Sequence, residues 1–245
     1  MASLRIVSWN IRKAVGLDWR RDPERVLRVL TRLKADIVIL QEADKRLHPR
    51  PPALPHDMVR RAGWDMIDAD PATPSIGHHG NAVLLGAGLS VARLHALDLP
   101  GLEPRGAVLA RVVGRGMELT VGGLHLGLRS KDRLRQMAFT LKAAEAFGGP
   151  TVLAGDLNEW RSGETLLSDA SDWTSISPGP SFHAALPTRA LDRFVVGPDI
   201  KYGRYGVASK QDAERASDHL PIWIDIKIAS LLTGDTEYSE KEFTA

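Results

Sequence analysis

The chain contains no cysteine. That excludes disulfides and thiolate metal centres, and it suits a reducing interior. No run approaches the ~20 uninterrupted apolar residues needed to cross a bilayer, so no integral membrane segment is expected. The opening residues, MASLRIVSWN, enter a strand-like run directly, without the charged and then apolar pattern of an export leader. A cytoplasmic location is the resulting expectation. There is no repeat at solenoid spacing, no low-complexity linker and no internal change of composition that would mark a domain boundary. Neither charge dominates, since 32 basic and 30 acidic residues leave a net +2. A serine-hydrolase relay is excluded too. No G-x-S-x-G elbow occurs, and Ser217, Asp218 and His219 are consecutive.

What is present is unevenly placed. The last fifteen residues, LLTGDTEYSEKEFTA, hold four acids and one lysine, which leaves the rest of the chain near +5. Residues 1–229 read as a single domain and 230–245 as an acidic, flexible tail. Basic residues gather in KRLHPRPPALPHDMVRR (45–61) and LRSKDRLR (128–135). Such clusters are either solvated faces or a groove for a phosphate-bearing partner, DNA or RNA among them. The Pro-rich HPRPPALPH (48–56) reads as a surface loop.

Two helices are signalled. Asp22 before Pro23 makes an N-cap and first-turn pair, followed by Val26, Val29, Leu30 and Leu33 at helical spacing. Ser130 precedes a second stripe of Leu134, Met137, Ala138 and Leu141, which Gly148 and Gly149 end. Around them run short β-branched segments: LRIVSW, ADIVIL, NAVLL, AVLARVV, ELTVGGLHL, TVLAG, LDRFVV and LPIWIDIKI. Several are apolar on consecutive residues, so both faces are covered. Many strands and few helices predict an α+β fold, two packed sheets with helices outside.

The informative pattern is how these runs end. RIVSW ends in Asn10, DIVIL in Gln41-Glu42, TVGGL in His125, and TVLAG in Asp156 and Asn158. Asp192 opens another strand, and Asp218-His219 precede the last one. One polar residue at a strand end is ordinarily a turn former. Six such ends on one edge would make a pocket of hard oxygen and imidazole ligands suited to Mg²⁺ or Mn²⁺ and to phosphoryl chemistry. Glu42, helped by Asn10 and Asp218, would hold the ion. Asp156 would orient and deprotonate water, Asn158 would donate to a phosphate oxygen, and Asp192 would orient His219.

The order SWNIR (8–12), DIVILQEAD (36–44), GNAVLLG (80–86), PRGAVLARV (104–112), GGLHLG (122–127), AGDLNEW (154–160), LDRF (191–194) and SDHLPI (217–222) resembles the endonuclease/exonuclease/phosphatase superfamily over about residues 4–228. The resemblance implies a four-layer α/β/β/α sandwich of two mixed sheets and a Mg²⁺- or Mn²⁺-dependent phosphoester hydrolase. By motif, Asn10 and Glu42 match the metal-binding pair. Asp156 and Asn158 match the catalytic Asp and the phosphate-contacting Asn. Asp192 matches the acid paired with the last histidine, and Asp218-His219 match the metal-linked Asp and catalytic His. His125 resembles the histidine of the deoxyribonuclease-like and sphingomyelinase-like branches. Abasic-site repair nucleases carry a tyrosine where EPRGAV (103–108) has none, and Arg105 becomes a candidate phosphate contact. The glutamate that orients the branch histidine is also missing from SIGHHGNAVLL, which leaves Asn81 to orient His125 or His125 less activated.

Several smaller expectations follow. The glycine of LAGDLNEW lets the backbone turn, and Trp160 packs beneath the loop. His78 and His79 are solvated or reach phosphate from the rim. Tyr202 and Tyr205 pack on a hairpin rather than stack on bases. A phosphodiesterase or nuclease leads; a lipid-headgroup or small-molecule phosphoesterase is the alternative, and a non-catalytic binding module a remote one. No convincing apolar rim loop supports a lipid substrate, PPALPHDM being only mildly apolar.

Overall fold

In an extended strand successive side chains point to opposite faces, so each run sorts its own residues between two layers. The computed structural model describes residues 2–45, 49–69, 74–161, 163–167 and 170–228. The tail expected over 230–245 and part of the first basic cluster (46–48) lie outside the described residues. In chain order the strands are β1 (Ala2–Asn10), β2 (Ile37–Gln41), β3 (Asp65–Met66), β4 (Ala82–Leu85), β5 (Leu89–Leu99) and β6 (Arg105–Gly114). They continue with β7 (Met117–His125), β8 (Thr151–Asp156), β9 (Thr174–Ile176), β10 (Asp192–Val196), β11 (Lys201–Val207) and β12 (Ile222–Ile228). The helices are α1 (Pro23–Arg32), α2 (His56–Arg61) and α3 (Ser130–Phe147).

Two six-stranded sheets result, ordered β11-β12-β1-β2-β4-β3 and β5-β6-β7-β8-β10-β9. Both are mixed. The central pairs β1/β2 and β7/β8 are parallel, and the other neighbours are antiparallel. A parallel pair needs a crossover connection. The chain supplies α1 between β1 and β2, and α3 between β7 and β8.

Side-chain parity then builds the layers. Leu4, Ile6, Ile39 and Ile224 of the first sheet meet Val121, Val152, Ala154 and Phe194 of the second. On the first sheet's outer face, Val7, Trp9 and Leu40 pack with Val26, Val29 and Leu30 of α1 and Val59 of α2. On the second sheet's outer face, Leu124, Leu153 and Val195 pack with Met137, Leu141 and Ala144 of α3. This is the expected four-layer sandwich. Among the described residues no helix is long and apolar enough to cross a membrane.

The α1 start follows its sequence. The Asp22 carboxylate accepts from the Arg25 backbone N–H at 2.9 Å, and Pro23 occupies the first turn. The α3 helix departs from the expected stripe. Met137 and Leu141 are buried, but Leu134 and Ala138 are exposed, and the buried face instead carries Arg133 and Gln136. These polar groups hold loops. Arg133 Nη2 lies 3.2 Å from Glu159 Oε2, with the two side chains 6% and 4% exposed. Arg133 Nη1 also donates to the Leu128 carbonyl at 2.6 Å. Gln136 Oε1 accepts from Gly127 N at 2.8 Å, and its Nε2 donates to the Pro100 carbonyl at 3.0 Å. The helix is therefore rotated to brace the loops that follow β7 and β8. The short α2 was not signalled, because the Pro-rich run before it reads as loop.

Gly155 also serves a different purpose from the one expected. It lies inside β8, opposite Leu124 of β7, where a Cβ would sit 1.8 Å from the Leu124 carbonyl oxygen. It permits close approach of two strands; the turn comes later, at Asn158, whose φ is 49°.

Removing one member of a buried ion pair leaves the other charge uncompensated. Arg133→Met is expected to lower stability by about 3–5 kcal/mol, and adding Glu159→Gln to recover most of it. Urea unfolding of the single and double variants checks this; equal losses in both would contradict it.

Candidate active site

At one edge of the sandwich the inward-facing parity of each strand continues but its chemistry changes. In β1 the inward series Leu4, Ile6 runs on to Ser8 and Asn10, and in β7 Leu119, Val121 runs on to His125. In β8, Val152 and Ala154 lead to Asp156, and in β10 Val196 and Phe194 lead back to Asp192. Strand register puts His125 beside Asp156 and Asp156 beside Asp192, one row across three strands. Asn10 faces this row from the other sheet. Its Nδ2 donates to Asp156 Oδ2 at 3.1 Å.

His219 arrives from the loop before β12 and is latched there. Ser217 Oγ donates to the Asn10 carbonyl at 2.7 Å and accepts from His219 N at 3.2 Å. Trp9 Nε1 donates to the His219 carbonyl at 2.9 Å. The imidazole Nδ1 then lies 2.8 Å from Asp192 Oδ2, and Ser181 Oγ donates to the same oxygen. Phe182 lies against the imidazole, ring centres 4.8 Å apart. The ring's other nitrogen, Nε2, is 3.6 Å from Asp156 Oδ2, and His125 Nε2 is 3.5 Å from that oxygen. One carboxylate oxygen is thus shared by two imidazoles and a carboxamide. Asp156 Oδ1 accepts from the Asn158 backbone N–H at 3.0 Å.

The two histidines titrate in opposite directions. Burial acts to lower the His219 pKa, but Asp192 and Asp156, with Asp218 behind them, outweigh it and push it up to about 10. His125 is lowered to about 4 by burial, which Asp156 only partly offsets while Arg105 adds to it. Near neutral pH, His219 is an imidazolium and His125 a neutral ring.

A cleft of about 240 Å³ opens beside His125, lined also by Glu42, Asp44, Arg50, His79 and Arg105. Glu42 follows β2 at a φ of 50° and its carboxylate pairs with the Lys13 ammonium. Asp218 Oδ2 lies 3.5 Å from Arg12 Nε. Arg105 donates to Glu103 at 2.8 Å, and among the described residues its buried Nε has no hydrogen-bond partner. Burial raises the pKa of Asp44, against the opposing charge of Arg50.

Of the residues singled out in the sequence, Asn10, His125, Asp156, Asn158, Asp192 and His219 form one contact network. Glu42 and Arg105 line the adjoining cleft, and the charge of Asp218 acts on His219. Asn81 is not placed to orient His125. It is fully buried, its Nδ2 donates to the Gly106 carbonyl at 2.8 Å and to that of His78 at 3.2 Å, and among the described residues no hydrogen bond joins it to His125. It ties a turn to β6. Asn158 uses one amide hydrogen on the Leu126 carbonyl at 2.9 Å. Trp160 does not pack beneath its loop: it is 53% exposed, with Phe182 edge-on at 6.3 Å and the Arg189 guanidinium 5.6 Å from its ring centre. Lys13, Ser181, Ser217 and Asp44 were missed. Only the SDH serine had a signal, its position two before the histidine.

Asp156, Asp192 and His219 each place a donor atom within 4.8 Å of the others, a group able to hold a metal ion. Glu42, Asn10 and Asp218 offer carboxylate and carboxamide oxygens. Buried carboxylates, a charged and a neutral imidazole and a free guanidinium donor beside a cleft suit a reaction in which negative charge develops on oxygen.

Known proteins resemble this chain in sequence or in structure. "Uncharacterized protein YbhP" of Escherichia coli (strain K12) is 28% identical over 252 residues, covering 92% of this chain and 97% of its own. The TDP2 of D. rerio, complexed with a single-strand DNA product, superposes with a TM-score of 0.73 at 17% identity, over 93% of this chain and 100% of that one. The mannosyl-6-phosphatase Bt3783 of Bacteroides thetaiotaomicron VPI-5482 gives 0.71 at 19% identity, over 92% and 100%. The two structural likenesses show the fold. The profile of the Endonuclease/Exonuclease/phosphatase family matches residues 7–219, nearly the whole sandwich, and the chain belongs to that family of phosphoester hydrolases.

Proposed function

We propose that the chain is a Mg²⁺- or Mn²⁺-dependent phosphodiesterase that cleaves by in-line attack of water. The observation that carries this reading is Asp156 Oδ2, set between a charged and a neutral imidazole. Groups whose environments drive their pKa values apart are the signature of divided acid and base roles.

Asp156 is the proton acceptor. The Asn158 backbone N–H and Asn10 Nδ2 fix its two oxygens, and both imidazole nitrogens stand off at 3.5–3.6 Å, long enough to tighten when a ligand oxygen enters. His219 keeps its proton on Nε2 and offers it to a phosphoryl oxygen as charge builds there. Asp192 fixes its tautomer through Nδ1, and Ser181 fixes Asp192. His125 donates without adding charge. Arg105 supplies the unpartnered N–H, and Asn158 its remaining amide hydrogen.

Glu42, with Asn10 and Asp218, would hold the metal ion. Their hard oxygens suit Mg²⁺ or Mn²⁺, and Glu42 and Asp218 already face cationic side chains, Lys13 and Arg12. Such an ion would neutralise phosphate charge and stabilise the extra charge of the transition state. Asp192 is better read as the histidine's partner than as a ligand, because it is fully buried and its Oδ2 is taken by His219 and Ser181.

A second reading, a small-molecule phosphoester, is supported by the cleft itself. Its 240 Å³ lies a little under the roughly 300–1,000 Å³ of pockets for drug-sized ligands, a size for a ligand smaller than those. The fold alone does not choose, since the neighbours include a DNA complex and a sugar phosphatase. Of the two basic clusters, Arg50 lines the cleft while Arg133 is committed to Glu159.

Two outcomes are expected. Hydrolysis of bis-p-nitrophenyl phosphate should require Mg²⁺ or Mn²⁺ and stop with EDTA, and Asp156→Ala should lower kcat by about 10²–10⁴-fold with the fold intact by circular dichroism. Absence of metal-dependent turnover of any phosphoester by the unaltered chain would overturn the reading. Because Asp192 raises the His219 pKa, the acid form persists to about 10 and activity falls only above it. Asp192→Asn should move that alkaline limb toward neutral pH; an unmoved limb in the kcat profile would contradict the assignment.

A further inference from the structure

A second cluster of ligating side chains stands at the rim of the cleft, on elements the proposed chemistry does not use. His78, His79, Gly80 and Asn81 form a two-residue hairpin turn: His78 and Asn81 exchange backbone hydrogen bonds at 2.9 Å, and His79 and Gly80 have φ of 48° and 80°. The turn holds adjacent imidazoles side by side, ring centres 4.5 Å apart and nearly perpendicular. Both rings lean on Gly106 of β6, where a Cβ would meet each Cδ2 at 2.8 Å. Register places Asp98 of β5 directly opposite Gly106. The rings therefore occupy the space a side chain at 106 would fill, and both point Nε2 at the same oxygen. Each Nε2 is 3.0 Å from Asp98 Oδ1.

We propose that His78 Nε2, His79 Nε2 and the Asp98 carboxylate form a binding site for a borderline transition-metal ion, zinc foremost, distinct from the oxygen-rich position at Glu42. The donors are two imidazoles and one carboxylate, the set that zinc prefers and Mg²⁺ does not. Their spacing fits. Two donors each about 2.1 Å from zinc lie roughly 3.0–3.4 Å apart at octahedral to tetrahedral angles. The three atoms lie within 4.8 Å of one another, and the 81% exposure of Asp98 leaves an open side for water or a further ligand.

The site communicates with the cleft through Arg50. Its Nη1 lies 3.3 Å from His79 Nδ1. A guanidinium only donates, so Nδ1 accepts and the ring proton sits on Nε2, facing Asp98. Burial lowers the pKa of this ring, and the charge of Arg50 beside it acts in the same direction. A metal ion takes the Nε2 lone pair. The Nε2 proton leaves to water, and water returns one to Nδ1, so donor then faces donor. Arg50 is released from His79 into the cleft that both line.

The test is calorimetric titration of the full chain with zinc chloride in Mg²⁺-saturated, phosphate-free buffer. One zinc site that Mg²⁺ does not displace is expected, weakened more than about tenfold by His78→Ala and by Asp98→Ala and unchanged by Glu42→Gln. No zinc binding up to millimolar concentration would overturn the proposal. So would binding that Glu42→Gln abolishes and Asp98→Ala leaves intact, which would place the ion in the cleft. Circular dichroism confirms that each variant is folded.

Discussion

A buried carboxylate must be neutralised or hydrogen-bonded, and Asp156 is the point at which that requirement organises the site. Its Oδ2 gathers Asn10 from one sheet and faces His125 and His219, while its Oδ1 fixes the turn at Asn158. Every other placement is bound to this one. Asp192 and Ser181 orient His219, and Trp9 and Ser217 latch the loop that carries it. The ion pair between Arg133 and Glu159 braces the loop after β8, one residue beyond Asn158. The two sheets are joined at this edge by polar contacts as they are joined elsewhere by apolar ones.

Topology explains why the site lies at this edge. Each sheet has one parallel pair at its centre, and the carboxyl ends of all four parallel strands carry site residues: Asn10, Glu42, His125 and Asp156. A crevice outside the carboxyl ends of parallel strands is the general location of ligand sites in such sheets. Backbone strain gathers there too. Arg12, Lys13, Glu42, His79 and Asn158 all have φ between 47° and 59°, a region that residues other than glycine seldom adopt.

How much of this was legible follows from burial. The eight strands read as apolar runs are the eight interior strands, and the other four, β3, β5, β9 and β11, are the four sheet edges, of which only β11 had a signal, the hairpin expected at Tyr202 and Tyr205. Interior strands are covered on both faces and show as apolar runs. An edge strand such as β5, mostly exposed or half-buried along its length, has no such run to show. The network residues were legible for a related reason, since a carboxylate or imidazole at the inward-facing end of an apolar run conflicts with its surroundings. Trp160 was not, and the His78–His79 pair was legible only as a place at the rim, because their contacts depend on Phe182, Arg189, Asp98 and Gly106, which are distant in sequence. The α3 stripe was misjudged because its buried face includes an arginine and a glutamine whose partners lie on other elements.

The central claim is that two imidazoles beside one carboxylate differ in charge, His219 held cationic by Asp192 and Asp156 and His125 held neutral by burial. Nitrogen-15 chemical shifts of the His125 and His219 rings, followed from acid to alkaline pH, test it most directly. The account predicts that near neutral pH His219 shows both ring nitrogens protonated while His125 shows one, with His219 losing its proton only near pH 10. Both rings titrating together near the ordinary value of about 6.5 would contradict it.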